Sequence, residues 1–211
     1  MTVCTLHSRI GPGEGELTAG EVLDTVTGAM RTLVDRGLAS AIGFTGLGDT
    51  GNLLEVAASG AFDTFQCYFN VLNQSAARPG SPDGVAQDFA GLLAQAAPAG
   101  LGAFCIRALA GGALADTEER HPLAGGPGRP MASGEEYADD RGRANELRGR
   151  LGEFGTGSMV ELAVRFALGE ARLSTVLLGI SDRAQIEQAL QLASLGPLAT
   201  PALDALATPL R

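Results

Sequence analysis

The sequence contains no lysine, so every one of its 15 basic residues is an arginine, against 24 acidic residues and a net charge of −9. The arginines form no basic stripe, and we therefore expect no nucleic-acid partner. Long apolar runs are also missing. No stretch reaches the roughly 18 uninterrupted apolar residues of a membrane span, and the N-terminus has no charged region followed by a long apolar segment. These absences predict a cytoplasmic protein with no membrane partner.

Cysteine is scarce, and its spacing argues against both a disulfide framework and a metal site. The three residues, Cys4, Cys67 and Cys105, are an odd, widely separated set in which no pair has metal-ligand spacing. Each lies in a run that is predicted to be a buried strand. We interpret them as small hydrophobic residues in a reducing compartment.

Strand-like and helical stretches alternate along the 211 residues, of which 45% are hydrophobic. That length predicts one domain, residues 1–211, with a sizeable core. Strands are predicted at residues 2–6, 39–44, 62–69, 101–108 and 174–178. Helices are predicted at residues 18–37, with Thr18 as the cap, and at residues 49–59, 85–97, 135–154, 158–168, 183–193 and 201–207. Such alternation predicts parallel strands joined by right-handed crossovers. The closed form of this architecture has eight units in roughly 250 residues, and here there are five.

Two glycine-rich segments allow more than one interpretation. Residues 110–134 are too polar and broken for a regular element and too long for an ordinary connection. They form either a lid over the site or a flexible insertion, and we favour the lid because the segment follows a strand. GFTGLG, residues 43–48, lies between a strand and a helix and could hold phosphate at the helix N-terminus. A simple tight turn explains it equally well.

Taken together, the strand ends resemble a known family. LHSRIG, AIGFTG after a helix ending in RGLAS, FDTFQCYFNVLN, IRALAGGAL and VLLGISDRAQIEQAL occur in the order and approximate spacing of the second half of the aldo/keto reductases, most closely the bacterial branch. The resemblance implies an incomplete (β/α)8 barrel that corresponds to strands four to eight only. The catalytic aspartate, tyrosine and lysine of the family would lie in the missing N-terminal third. Neither Tyr68 nor Tyr137 matches the position of that tyrosine.

The resemblance also assigns candidate residues around the nicotinamide ring. His7 matches the histidine that orients the substrate carbonyl. Gln66 falls where the family binds the nicotinamide carboxamide, although a glutamine bonded to backbone at the rim of the core is an equal alternative. Thr45 and Gly46 stand where the family usually has Ser-Asn. Ile106 replaces an aromatic residue that many members stack on the ring.

Two further motifs would bind the rest of the coenzyme. Arg107 is assigned to the pyrophosphate, with an ion pair to a neighbouring carboxylate as the alternative. The tight backbone of residues 109–112, including Leu109 and Gly111, would lie beneath it. The adenosine-ribose end is assigned to Gly179, Ser181, Gln185 and Gln188. Because Gln185 replaces a basic residue and Arg183 is near, the choice between NADP and NAD stays open. Ser181 and Asp182 as a simple helix cap are the alternative.

The resemblance predicts an NAD(P)-dependent oxidoreductase that transfers hydride between the coenzyme and a small aldehyde or ketone, or the corresponding alcohol. Because the chain lacks the catalytic residues, we expect it to be inactive alone. Two alternatives are a non-catalytic cofactor-binding or regulatory module, and one half of a split barrel that a partner chain completes. Both exposed sheet edges predict self-association or a completing partner.

Overall fold

Five parallel β-strands form one sheet in the order of the chain. The computed structural model describes residues 2–78, 87–117, 119, 121–124 and 136–207. The strands are β1 (Val3–Leu6), β2 (Ala41–Thr45), β3 (Thr64–Tyr68), β4 (Gly102–Ile106) and β5 (Leu173–Val176). Each neighbouring pair is parallel. The predicted α/β fold with five parallel strands and intervening helices is confirmed.

Helices connect the strands. They are α1 (Ala19–Glu21), α2 (Thr27–Asp35), α3 (Thr50–Ala58), α4 (Leu92–Ala96), α5 (Tyr137–Arg148), α6 (Met159–Leu168), α7 (Arg183–Ser194) and α8 (Thr200–Ala207). A π-helix at Val22–Val26 joins α1 to α2, so the helix predicted from Thr18 onward is a continuous helical stretch. Short 3₁₀ turns occur at Ala97–Ala99, Ala110–Gly112 and Leu151–Phe154.

Side-chain caps explain where several helices begin. The Thr18 hydroxyl accepts from Glu21 N at 3.2 Å, and the Glu21 carboxylate accepts from Thr18 N at 2.9 Å, which is a capping box. This confirms the predicted cap. Asp49, Ser158 and Asp182 each accept from the backbone three residues later and begin α3, α6 and α7 in the same way.

The helix predicted over residues 85–97 is wrong for its described first part. Residues 85 and 86 lie outside the described ranges, and residues 87–91 form a loop before α4. The Ser75 hydroxyl accepts from Phe89 N at 3.0 Å, and the Asn73 side-chain amide donates to Gln87 O at 2.9 Å. Because these buried side chains occupy backbone groups that a helix would need, the loop is the more stable arrangement. The helix predicted over residues 135–154 is likewise divided, into α5 and the turn at Leu151–Phe154.

The sheet is covered by a continuous apolar core. Phe44 on β2 packs against Phe62 and Phe65, with ring centroids 5.2 Å and 5.8 Å apart. The core extends from Ile10, after β1, to Leu206 in α8. All five residues of β2 are buried, whereas those of β1 and β5 are only partly buried or exposed. Within the described residues, β1 and β5 each pair with one neighbour, so each has an open edge.

Two of the three cysteines belong to this core. Cys67 on β3 and Cys105 on β4 are paired in the sheet register, and both are fully buried. Burial raises the pKa of Cys105 to about 12 and the pKa of Cys67 well above its usual range. The Cys105 thiol donates to Phe69 O at 3.1 Å. Both therefore remain neutral thiols at physiological pH, which confirms their predicted role as small hydrophobic residues.

In the described residues, no helix has the length and apolarity needed to cross a membrane. The same ranges bring together no group of three or more His, Cys, Asp or Glu side chains that could hold a metal ion.

We expect the free energy of unfolding to decrease at acid pH because of Asp63, which connects three elements of the fold. Its carboxylate accepts two bonds from Arg31 Nη1, at 3.0 and 2.8 Å, and one from Ile42 N at 2.8 Å. Partial burial raises the pKa of Asp63, but the bonds from Arg31 and Ile42 outweigh it and the pKa is lowered. The stabilisation is therefore present above the ordinary aspartate pKa and is lost as the pH falls through the lowered value.

Thermal unfolding of the wild type and Asp63→Asn across an acid pH series checks this. The wild type should unfold at the higher temperature near neutral pH, and the difference should shrink towards low pH. Asp24→Asn, an exposed helical position, is the control. A difference that is constant with pH would show that the Asp63 carboxylate does not contribute through its ionisation.

Candidate functional site

Most of the candidate residues lie at or just beyond the carboxyl ends of the strands. His7 directly follows β1, Thr45 ends β2 and Arg107 directly follows β4, whereas Gln66 is the central residue of β3 rather than its end. Gly179 comes shortly after β5. Parallel strands that alternate with helices carry their functional residues at the carboxyl ends of the strands. Most of the candidates therefore occupy the end at which this architecture places its sites.

His7, Thr45 and Gln66 form a row of polar side chains across β1, β2 and β3. Thr45 pairs with Gln66 in the sheet register, and the pairing of Leu6 with Phe44 places His7 beside Thr45. His7 Nδ1 and Thr45 Oγ1 are 3.0 Å apart, and Thr45 Oγ1 donates to Gln66 Oε1 at 3.4 Å. Thr45 is fully buried, whereas His7 is exposed. The row connects a buried hydroxyl to an accessible imidazole.

Gly46 follows this row because no larger residue fits. Its N–H donates to Gln66 O at 2.7 Å. A Cβ at this position would stand 2.7 Å from the same oxygen, closer than Cβ contacts normally approach. The close approach of β2 to β3 thus explains why a glycine occurs where the resemblance leads one to expect a side chain.

A cavity of about 860 Å³ lies beside the row, at the ends of β4 and β5. Seven of the predicted coenzyme-binding residues line it, although they come from two segments about 70 residues apart in the chain: Arg107, Leu109, Gly111, Gly179, Ser181, Gln185 and Gln188. His7, Thr45, Gly46 and Gln66 do not line the cavity. The candidates therefore form two groups, the polar row and the cavity, on neighbouring strand ends.

Arg107 lies at the cavity wall in a constrained backbone conformation. Its φ is +60°, a left-handed value that costs a non-glycine residue roughly 1 to 2 kcal/mol. Its carbonyl accepts from the buried Asn70 side chain at 3.0 Å and from Ala110 N at 2.8 Å, which holds the turn. The side chain is exposed, and among the described residues no carboxylate pairs with it. The residues that follow form a tight 3₁₀ turn, Ala110–Gly112.

Comparison with known proteins gives the family. The sequence from residue 9 to residue 207 matches the model described as Aldo/keto reductase family. The chain belongs to the aldo/keto reductase family. A comparison with curated protein sequences gives no significant match. The resemblance in the sequence motifs is therefore confirmed at the level of the family.

Solved structures of aldo-keto reductases share the fold of this family member. The holo form of aldo-keto reductase AKR11C1 from Bacillus halodurans has a TM-score of 0.69 at 16% identity, over 98% of this chain and 60% of that one. Its apo form has a TM-score of 0.67 at 16% identity, over 98% of this chain and 61% of that one. Glycerol dehydrogenase AKR11B4 from Gluconobacter oxydans has a TM-score of 0.65 at 15% identity, over 98% of this chain and 57% of that one. The chain thus spans about 60% of the length of these neighbours, and its correspondence to strands four to eight remains a prediction.

In this aldo/keto reductase family member, the predicted adenosine end is a capped helix start. The Asp182 carboxylate accepts from Gln185 N at 2.9 Å, and the Gln185 side chain accepts from Ser181 N at 2.7 Å. The capping interpretation is correct for Asp182. Arg183 points away: its side chain is 90% exposed and pairs with Glu187 at 2.7 Å. The nearest basic residue in sequence is therefore not at the cavity wall.

Helix α5 supplies lining residues that sequence reasoning missed. Tyr137, Arg141, Asn145 and Arg148 all face the cavity. Their spacing of four, four and three residues is that of one helix face, so a polar stripe was visible in the sequence. Among the described lining residues, the cavity collects three arginines against two carboxylates, those of Asp116 and Glu119.

The described part of residues 110–134 is anchored to the site. Leu114 is fully buried, and Asp116 Oδ1 accepts from Met159 N at 2.7 Å at the start of α6. Arg148 Nη2 donates to Ala115 O at 2.9 Å. His121 Nε2 lies 3.5 Å from Asp182 Oδ2, which connects the segment to α7. Residues 125–134 lie outside the described ranges, so a lid remains a prediction.

Proposed function

We propose that this chain forms the coenzyme-binding part of an NAD(P)-dependent oxidoreductase. The reaction is hydride transfer between NAD or NADP and a small aldehyde, ketone or alcohol. The membership of the aldo/keto reductase family supports this class of reaction. Activity belongs to the whole protein of this type, whose length this chain spans in part. We also propose that the five strands correspond to the fourth to eighth strands of the barrel.

One observation carries the proposal. The two segments that the resemblance assigns to the pyrophosphate and to the adenosine ribose line the same cavity. Its volume of about 860 Å³ is in the range of sites for extended cofactors, roughly 300 to 1,000 Å³. The exposed Arg107 guanidinium at its wall would complement the negative charge of a pyrophosphate, since a guanidinium can bind phosphate oxygens in pairs.

The polar row is suited to the nicotinamide end. Gln66 Oε1 accepts from Thr45, and among the described residues the Gln66 Nε2 group has no partner. A side-chain amide with free N–H donors is complementary to a carboxamide oxygen. His7 is exposed just after β1, at the other end of the row, where it would meet the oxygen of the substrate. When bound, the coenzyme would supply or accept the hydride, and the chain would position both reactants.

Titration of the purified chain with NADH and NADPH by calorimetry tests the proposal. Binding is the proper readout because it tests the coenzyme site directly and does not depend on turnover. We expect dissociation constants in the micromolar to millimolar range, roughly −8 to −4 kcal/mol. ADP should compete, since it shares the pyrophosphate. Absence of binding by either coenzyme at millimolar concentration would contradict the proposal.

A further inference from the structure

The hydrogen bonds of the polar row constrain the proton on His7. Thr45 is fully buried between β1 and β3, and its hydroxyl contacts one side chain on each side. On one side is Gln66 Oε1, at 3.4 Å, and on the other is His7 Nδ1, at 3.0 Å. No bulk water competes at a buried hydroxyl, so these two contacts decide how its hydrogen and lone pairs are used.

A threonine hydroxyl has one hydrogen and two lone pairs. An amide oxygen can only accept, so the contact with Gln66 Oε1 takes the hydrogen of Thr45. The contact with His7 must then take its hydrogen from the ring. We propose that Thr45, oriented by Gln66, acts as a positioning residue that keeps the proton of neutral His7 on Nδ1 and leaves Nε2 as the exposed acceptor.

The tautomer determines which substrate oxygen His7 can bind in each protonation state, and this consequence rests on the proposed function. A neutral ring with a bare Nε2 accepts a hydrogen bond from an alcohol O–H but cannot donate one to a carbonyl oxygen. After Nε2 is protonated, the ring becomes a donor to a carbonyl. Neutral His7 would thus orient the hydroxyl of an alcohol, whereas the imidazolium form of His7 would orient the oxygen of a carbonyl.

Nitrogen NMR of the protein labelled with ¹⁵N-histidine tests the tautomer without any coenzyme. The chain has two histidines, His7 and His121, and a His121→Asn variant assigns the signals. Under alkaline conditions, where both rings are neutral, we expect long-range ¹H–¹⁵N correlations to show His7 with its proton on Nδ1. A proton on Nε2 would overturn the proposal, because it would mean that the amide of Gln66 is turned and that the Thr45 hydroxyl donates its hydrogen to His7 Nδ1.

Variants separate this role from simple packing. Thr45→Val removes the acceptor at nearly constant volume and should shift the His7 proton substantially to Nε2, whereas Thr45→Ser should restore Nδ1. Thr64→Val, at a buried position on the neighbouring strand β3, is the matched control and should leave His7 unchanged. The His121 signals and the circular dichroism report whether each variant is folded. If Thr45→Val left the tautomer unchanged, Thr45 would not be the positioning residue.

The two proposals fail separately. Nδ1 protonation together with no coenzyme binding would contradict the proposed function alone. Coenzyme binding together with a proton on Nε2 would contradict the tautomer alone.

Discussion

Replacing Arg107 by alanine should weaken the binding of NADH and NADPH by about 1.5 to 3 kcal/mol, the usual cost of removing a charged hydrogen-bond partner. That is roughly a 10- to 150-fold rise in the dissociation constant. The guanidinium lies at the cavity wall with no carboxylate partner among the described residues. Its removal should therefore weaken coenzyme binding without lowering the stability of the fold. Calorimetric titration of the wild type and of Arg107→Ala measures the change in affinity.

Two further variants make the comparison specific. Arg183→Ala also removes one positive charge near the predicted adenosine end, but this side chain is 90% exposed and pairs with Glu187. It should change the affinity less than about threefold, which is within the effect of a surface charge. Arg107→Gly removes the same guanidinium and relieves the left-handed φ of +60°, so it should unfold at a higher temperature than Arg107→Ala. Equal affinities for wild type and Arg107→Ala would assign this arginine to another role.

The second large effect concerns association. We propose that the chain self-associates or binds a completing partner through its open edges. Among the described residues, five of the eight exposed large hydrophobic side chains lie in one span of 19 residues that begins just after β5 and includes α7: Leu177, Ile180, Ile186, Leu190 and Leu195. In the described residues, β5 has no neighbour on its outer side. An unpaired strand edge beside an apolar helix surface favours pairing with another chain.

We therefore expect the average mass to rise with concentration in chromatography coupled to light scattering. Introducing charge at Ile186 and Leu190, one turn apart on α7, should oppose this. Each buried aliphatic side chain contributes roughly 1.5 to 3 kcal/mol, so the double variant Ile186→Glu, Leu190→Glu should raise the dissociation constant more than about 100-fold.

Leu38→Glu is the matched control, because Leu38 is 60% exposed but lies after α2, away from this surface. It should leave the association unchanged. Hydrogen exchange should be fast on the outer edges of β1 and β5 in dilute samples and slow in concentrated ones. A monomer at every concentration, with both edges protected, would contradict the proposal.

The sequence allowed all five strands to be placed within about three residues at each end, because each is a short apolar run followed by a turn signal. Helix caps such as Thr18 were also visible locally. The loop at residues 87–91 was not, since the side chains of Asn73 and Ser75 that hold it are more than ten residues away. Local propensity carries no information about such partners.

The sequence predicted some residues of the candidate site and missed others. Motifs after β4 and β5 led to seven residues that the fold brings to one cavity. The contact between His7 and Thr45 depends on the register of β1 with β2, which the sequence does not specify. The two residues are 38 positions apart in the chain, and the segment between them contains two helices and a π-helix. The arginines of α5 were not among the predicted site residues, because none of the motifs that led to the others includes this helix. A search for polar residues at helical spacing would have found them.

The close approach at Gly46 limits how this site can be re-engineered. Any side chain there would push against Gln66 O and so move β3 away from β2, which would also separate Thr45 from Gln66. Residues 45, 46 and 66 are therefore not independent positions in a mutant library. A library that keeps glycine at 46 while varying Thr45 and Gln66 should yield folded proteins, whereas one that varies all three should lose most of its members to misfolding before any change in chemistry can be selected.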